Sequence, residues 1–218
     1  MITKDYLPKH PEIELYQDDE MLRINTDTMV LGEFLNIYKN DVVLDMGTNQ
    51  GALLLYANIF KPKKLIGLEL NQRGVDLAIK NMHLNNISNY EIICGNIITY
   101  TSDPVDVIIC NPPYFKTEED NKGKNKYKAV AKHEGELNLC NLIASIERNL
   151  KDNGTLYFLY LTSRLDDCLI ELRKKHLIPK VIKFVYDDKK NFSNVFLVKC
   201  VKNGKIGLVC EKPIIIER

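Results

Sequence analysis

The sequence predicts an α/β fold: a doubly wound sheet of seven strands, mostly parallel, closed by a C-terminal antiparallel pair. Three observations carry this reading. Short, β-branched apolar runs alternate with segments whose apolar residues recur at helical spacing. The runs are apolar nearly throughout, as strands covered on both faces must be. Glycine, asparagine-glycine and a proline pair stand where strands and helices must hand over to one another.

The elements follow in order. Val42-Val43-Leu44-Asp45-Met46 is the first strand, closed by Gly47. Residues 51–60 form a helix with Leu54, Leu55 and Ile59 among its apolar positions. Residues 64–69 (KLIGLE) are the second strand, and residues 71–85 carry Val75, Ala78, Ile79 and Met82 at helical spacing. Residues 90–94 make the third strand. Residues 105–110 (VDVIIC) make the fourth, which Asn111-Pro112-Pro113 stops abruptly. A helix over 137–150, a turn at Asn153-Gly154 and a fifth strand at 155–161 (TLYFLYL) come next. Thr162 or Ser163 caps a helix running to about Lys175. Residues 180–186 and 195–201 pair antiparallel at the end. Right-handed crossovers between the parallel strands make the whole Rossmann-like.

Composition bounds the function. The chain has 218 residues, a formal charge of +1, 45% hydrophobic and 27% charged residues, which excludes a disordered tail or a low-complexity chain. A nucleic-acid partner must therefore meet a local basic surface rather than a basic protein. No apolar run approaches the roughly 20 residues of a membrane span, and the first residues lack a secretion signal, so a cytoplasmic protein is expected. The six cysteines form no C-x-x-C pair, which argues against zinc and thioredoxin chemistry, and no metal site is expected. Reduced core thiols are expected instead, with Cys94 and Cys110 acting as small buried hydrophobes. One domain over 1–218 is expected, with an extension over 1–40 packing at the cofactor site and a substrate loop over 116–136.

Ligand chemistry gathers at the carboxyl ends of the strands. In Asp45-Met46-Gly47-Thr48-Asn49-Gln50-Gly51, Gly47 and Gly51 let backbone approach a ligand, and Asn49 is the side chain most tolerant of left-handed dihedrals. Glu69 ends the second strand 24 positions after Asp45. A carboxylate there accepts from both ribose hydroxyls; by itself it would equally cap the helix beginning near Asn71, and the neighbouring glycines favour ribose. Asn96 either reads an adenine edge or closes a plain turn. A dinucleotide would place pyrophosphate on the first helix, whereas S-adenosylmethionine is cationic, and Asp45 early in the turn suits the cation. The match to G-x-G-x-x-G is poor, which counts against a nicotinamide enzyme.

Asn111-Pro112-Pro113-Tyr114 carries the reaction chemistry. The two prolines fix their φ angles and remove backbone donors, leaving a stiff elbow that offers acceptors. The Asn111 side-chain carbonyl and the Pro112 carbonyl suit an NH2 group, and Tyr114 offers a face for a planar ring. Two acceptors on an exocyclic amine stabilise the positive charge that grows on nitrogen during methyl transfer. Intact Asn111 and Tyr114 argue against a non-catalytic RNA-binding module on the same scaffold.

Together DMGTNQG, Glu69, Gly95-Asn96-Ile97 and NPPY resemble class I S-adenosylmethionine-dependent methyltransferases of the amino-methylating type, over about residues 23–160. More narrowly, the chain resembles the bacterial tRNA adenine-N6 methyltransferases that act on position 37, beside the anticodon. Asn25-Thr26-Asp27-Thr28 ahead of Val30-Leu31-Gly32, NPPYF running into a polar loop, and His133-Glu134 after Lys132 carry this narrower likeness. The family has Arg where Lys132 stands. The resemblance implies cofactor contacts at Asp45, Gly47, Glu69 and Asn96 and target-adenine contacts at Asn111, Pro112 and Tyr114. Asn49 in place of Gly and Asn96 in place of Asp depart from the pattern. Gly51 and Asn49 complete the cofactor loop, Asn111 faces cofactor as well as substrate, and Asp27 either sits against the cofactor's amino group or belongs to a helix cap. Lys116, Lys122, Lys124, Lys126, Lys128 and Lys132, with His133, form a rim for tRNA phosphates. His133 and Glu134 equally suit a helix N-terminus. The other amino-methylating reading is a protein glutamine amide, whose enzymes usually carry a helical domain before the first strand; here Asp45 comes early. Duplex-DNA methylation usually needs a further recognition domain.

Overall fold

Asn71, Asn138 and Asn25 each stand just before an apolar periodic run, and each caps a helix by accepting from a backbone N–H of the first turn. The computed structural model describes residues 1–112 and 138–217. The chain opens with β1 (Ile2–Leu7) and β2 (His10–Asp18), an antiparallel hairpin turned at Lys9, whose φ is 65°. Then come α1 (Thr26–Phe34), β3 (Val42–Met46), α2 (Ala52–Asn58), β4 (Lys64–Glu69), α3 (Gln72–Leu84), β5 (Tyr90–Cys94) and β6 (Val105–Cys110). After the gap follow α4 (Leu139–Asn149), β7 (Leu150–Leu161), α5 (Leu165–Lys174), β8 (Leu177–Asp187), β9 (Ser193–Lys202), β10 (Val209–Cys210) and β11 (Ile214–Ile216).

The main sheet runs β10-β8-β9-β7-β6-β3-β4-β5, with β11 also pairing β8. Strands β7, β6, β3, β4 and β5 are parallel, and β9 runs antiparallel to both β7 and β8. The seven expected strands are all present, and β10 and β11 extend the β8 edge beyond them. From β3 the chain adds β4 and β5 on one side, then β6 and β7 on the other. The order therefore reverses between β3 and β6, and the carboxyl ends of those two strands frame the crevice where ligands bind in open α/β sheets.

Strand periodicity divides the core into two faces. Val43, Val107, Ile109, Tyr157 and Leu159 join one cluster with α1, α2 and the hairpin residues Leu7 and Leu15. Leu44, Met46, Ile108, Cys110, Leu156 and Phe158 join the other with α4 and α5. In α4, Leu139, Leu142, Ile143 and Ile146 are buried at spacings of three and four, each contributing roughly 1.5–3 kcal/mol. Helices α1 and α2 meet at Gly32, where an added Cβ would lie 2.4 Å from the Tyr56 ring. Tyr56 in turn donates to the Pro8 carbonyl at 2.9 Å, tying the hairpin to that face.

Three local expectations are corrected. Thr162–Arg164 is a 3₁₀ turn, and α5 starts at Leu165 with Arg164 at its N-cap and no side-chain cap. The Thr162 hydroxyl instead meets the Ser193 hydroxyl on β9 at 3.1 Å, a long-range partner that outcompetes the local cap. Cys94 is exposed, because β5 is the edge strand, whereas Cys110 on the central β6 is buried as expected. Cys168 and Cys200 are buried, and Cys140 and Cys210 are exposed. Strand β7 also begins five residues earlier than expected, passing through the turn at Asn153, whose φ is 60°.

Candidate active site

Residues 47–51 leave β3 through three left-handed positions, Gly47 (φ 83°), Asn49 (φ 50°) and Gly51 (φ 84°). An ordinary side chain is strained at each; glycine is not, and asparagine tolerates it best. The loop is pinned to β4 by the N–H groups of Gly47 and Thr48, both donating to the Leu68 carbonyl at 2.8 and 3.0 Å. The loop forms the floor of a cleft of about 500 Å³, lined also by Glu69, Asn71, Asn96, Ile97 and Asn111 from the ends of β4, β5 and β6.

Glu69 joins two loops. One carboxylate oxygen accepts from the Asn49 N–H and the other from the Asn71 N–H, each at 2.9 Å. It braces the start of α3, as the cap reading expects, and it also lines the cleft with one further lone pair on each oxygen. The Asn96 side-chain carbonyl accepts from the Ile98 N–H at 2.8 Å, closing a turn, while the residue still lines the cleft. Its amide NH2 is the part left to meet a ligand.

Asp45 was expected at the lip of the sheet. It is fully buried instead, one residue before the end of β3, between Gly67 of β4 and Ile109 of β6. Neither carboxylate oxygen has a hydrogen-bond partner among the described residues, and the nearby Thr48 hydroxyl is likewise unmatched. Burial pushes the Asp45 carboxyl up to about 7, with the Glu69 charge adding to the rise and Thr48 partly offsetting it. A buried acid with two orphan oxygens under a ligand loop calls for a cationic partner. Gly51 also stands back from the cleft wall; an added Cβ there would crowd Ala78 and Met82 of α3.

Asp27 is the other departure. Asn25 and Thr28 line the cleft, while Asp27 lines a separate depression of about 190 Å³ with Tyr186, Asp187 and Asn194. Helical spacing explains the split: positions three apart share a face of α1, and the residue between them turns away. Asn111 is half-buried and lines the cleft, and Pro112 is buried behind it. Tyr114, Lys116, Lys122, Lys124, Lys126, Lys128, Lys132 and His133 lie outside the described residues.

The sequence expects an extension over 1–40 at the cofactor site, but apart from the segment 25–28 it does not single out the residues of the opposite wall. Leu15, Gln17 and residues 20–25 line the cleft across from the cofactor loop. Gln50 reaches this wall twice, accepting from the Asp18 N–H at 2.9 Å and donating to the Leu22 carbonyl at 2.8 Å. Asn81 of α3 accepts from the Tyr16 N–H and donates to the Tyr16 and Gln50 carbonyls. The alternation around Pro8-Lys9 was a legible hairpin signal; the polar residues that dock it had none.

The donor set fits an adenosine with a cationic tail: a carboxylate for hydroxyls, an amide for a base edge, and an uncompensated acid beneath the loop. A family model described as a methyltransferase domain matches residues 37–201. The chain is 31% identical over 106 residues to the tRNA1(Val) (adenine(37)-N6)-methyltransferase of Pseudoalteromonas translucida (strain TAC 125), covering 48% of this chain and 44% of that one. It is 29% identical over 126 residues to the release factor glutamine methyltransferase of Streptococcus pneumoniae (strain ATCC BAA-255 / R6), covering 55% of this chain and 44% of that one. The match spans less than half the length of both relatives. Among solved structures, a predicted O-methyltransferase from Agrobacterium tumefaciens shares the fold, with a TM-score of 0.66, 14% identity and 88% of each chain covered. The chain belongs to the methyltransferase domain family, as a class I enzyme whose methyl donor is S-adenosyl-L-methionine.

Proposed function

We propose that the chain methylates the exocyclic N6 amine of an adenine in tRNA, at position 37 beside the anticodon. The observation that carries this reading is Asn111: it leaves β6 at the switch point and lines the same cleft as Gly47, Glu69 and Asn96. S-adenosyl-L-methionine supplies an electrophilic methyl group when bound; the protein's task is to hold an amine in line with it. Glu69 takes the ribose hydroxyls, Asn96 meets the base edge, and Asp45, ionised, balances the positive charge. The Asn111 side-chain carbonyl and the Pro112 carbonyl accept from the two amine hydrogens and favour the pyramidal, positively charged nitrogen of the transition state. Tyr114 and the lysine rim have their roles from sequence: a stacking face for the extruded base and contacts to phosphates. A base in an anticodon loop is already partly unstacked, which makes it a cheaper target than one in duplex DNA. A tRNA substrate would place the enzyme in the cytoplasm.

A protein glutamine amide is the second reading, favoured by the similarity to a release factor glutamine methyltransferase. Such an amide presents the same planar NH2 to Asn111 and Pro112. Labelled S-adenosyl-L-methionine offered in parallel with bulk tRNA, DNA and release factors separates the two. The expected result is label in tRNA, recovered on nucleoside analysis as N6-methyladenosine. Label in protein alone overturns the tRNA reading in favour of the amide.

A further inference from the structure

Asn49 is the position where this loop departs from the glycine of the resembled family, and its side chain does something a glycine cannot. Its amide NH2 donates to the Leu22 carbonyl at 2.6 Å, and the Gln50 amide donates to the same carbonyl at 2.8 Å. Both lone pairs of that oxygen are therefore taken by the cofactor loop. Residues 19–25, which carry Leu22, connect β2 to α1 and supply much of the outer cleft wall. The Leu22 side chain is 76% exposed, so the segment is gripped by its backbone rather than packed by its side chain. The Asn49 backbone N–H meanwhile donates to Glu69. One residue thus ties the outer wall, the cofactor loop and the ribose-facing carboxylate together.

We infer that Asn49 is a positioning residue that clamps residues 19–25 over bound S-adenosyl-L-methionine, so that ligand release requires this clamp to open. The inference rests on the reading of the cleft as the cofactor site. The backbone at 49 is left-handed (φ 50°), which glycine, asparagine and aspartate all tolerate. Only asparagine adds a donor. Asn49→Gly keeps the turn and the N–H to Glu69 but cannot reach the strap. Asn49→Asp keeps side-chain shape and sets an oxygen against the Leu22 carbonyl. The series varies the clamp at constant loop geometry.

The test uses the whole chain and S-adenosylhomocysteine, followed by calorimetry and stopped-flow displacement. In Asn49→Gly the dissociation rate is expected to rise about fivefold to tenfold, the worth of one hydrogen bond, with the dissociation constant rising in parallel. Asn49→Asp is expected to lose more. Trypsin cleavage after Arg23 supplies a readout that simple loss of fold would not give. The ligand should protect that bond in the natural chain and protect it less in Asn49→Gly. Glu69→Ala separates the two claims. If it weakens binding while both Asn49 variants keep the natural off-rate and protection, the clamp is overturned and the cleft assignment stands. If Glu69→Ala binds as tightly as the natural chain, the cleft assignment falls and takes the clamp with it. Should Asn49→Asp fail to fold, Asn49→Gly still decides.

Discussion

Asp18 and Asp45 are both wholly buried beside the same cleft, yet their surroundings are opposite. Asp18, in the outer wall, accepts from the Glu20 N–H at 3.1 Å and pairs with the Arg73 guanidinium at 2.5 Å. The Glu20 bond first, then Arg73, hold its carboxyl below the usual range. Asp45, buried beneath the loop and not itself lining the cleft, has no hydrogen-bonding partner among the described residues, and burial raises it to about 7. A partnered acid of this kind fastens structure, whereas a buried acid without such a partner is costly to ionise. The two acids consequently respond oppositely to pH. Asp18 adds stability above the ordinary carboxylate pKa, and that contribution disappears as pH falls through its lowered folded value. Asp45 subtracts stability as pH rises from about 4 to about 7, because the unfolded chain gives up its carboxyl proton in that range while the folded chain, whose carboxyl is buried, holds it.

The largest effect expected on the inner wall is on chemistry. Asn111→Ala should cut methyl transfer by about 10²–10³-fold. Cofactor affinity should stay within a few-fold, measured by turnover beside calorimetry. Lost cofactor binding with normal turnover would refute the assigned role. Asp45→Asn sharpens the contrast between the two acids. Removing the buried charge should raise the melting temperature of the ligand-free protein above pH 7, by an amount equivalent to roughly 2–4 kcal/mol. The same change should weaken S-adenosyl-L-methionine binding by about 100-fold, as loss of a charge-assisted contact does. In the natural chain that affinity should increase about tenfold between pH 6 and 8, with proton release visible as a buffer-dependent enthalpy. A flat pH profile with no proton release breaks the idea that Asp45 waits for a cation.

Gly32→Ala tests the packing beneath the outer wall. Its new methyl would meet the Tyr56 ring, so a loss of about 1–3 kcal/mol is expected in denaturant melts. Unaltered stability would mean that α1 and α2 are free to part. The smallest effect belongs to Arg73, which also pairs with Glu20. Arg73→Gln should lower stability slightly near neutral pH, where the Asp18 pairing is fully present, and so shift the acid unfolding midpoint upward and speed tryptic cutting after Arg23. An unmoved acid midpoint would show that Asp18 needs only the Glu20 N–H.

The sheet was legible because its causes are local. Runs such as 42–46 and 105–110 must be strands buried on both faces, and Gly47, Asn49 and Gly51 must form a left-handed turn whatever surrounds them. The places of Glu69 and Asn111 were legible for the same reason, since Glu69 ends one such run and Asn111 sits one step past another. Asp45 was assigned to the right strand and the wrong depth, because strand order, not strand composition, puts β3 between two neighbours. Cys94 was misjudged from the same cause at the opposite extreme, on an edge strand.

The sequence by itself determined the alternating fold and the left-handed turn after β3, since each follows from backbone sterics and local patterning over a few residues. Only the tertiary structure decided that Gln50 and Asn81 dock a hairpin 32 and 65 residues away, and that Asn49 grips the carbonyl of Leu22. Polar residues that pair across such distances leave no periodicity in the chain, because a hydrogen bond depends on where two groups meet in space and not on their spacing along the backbone.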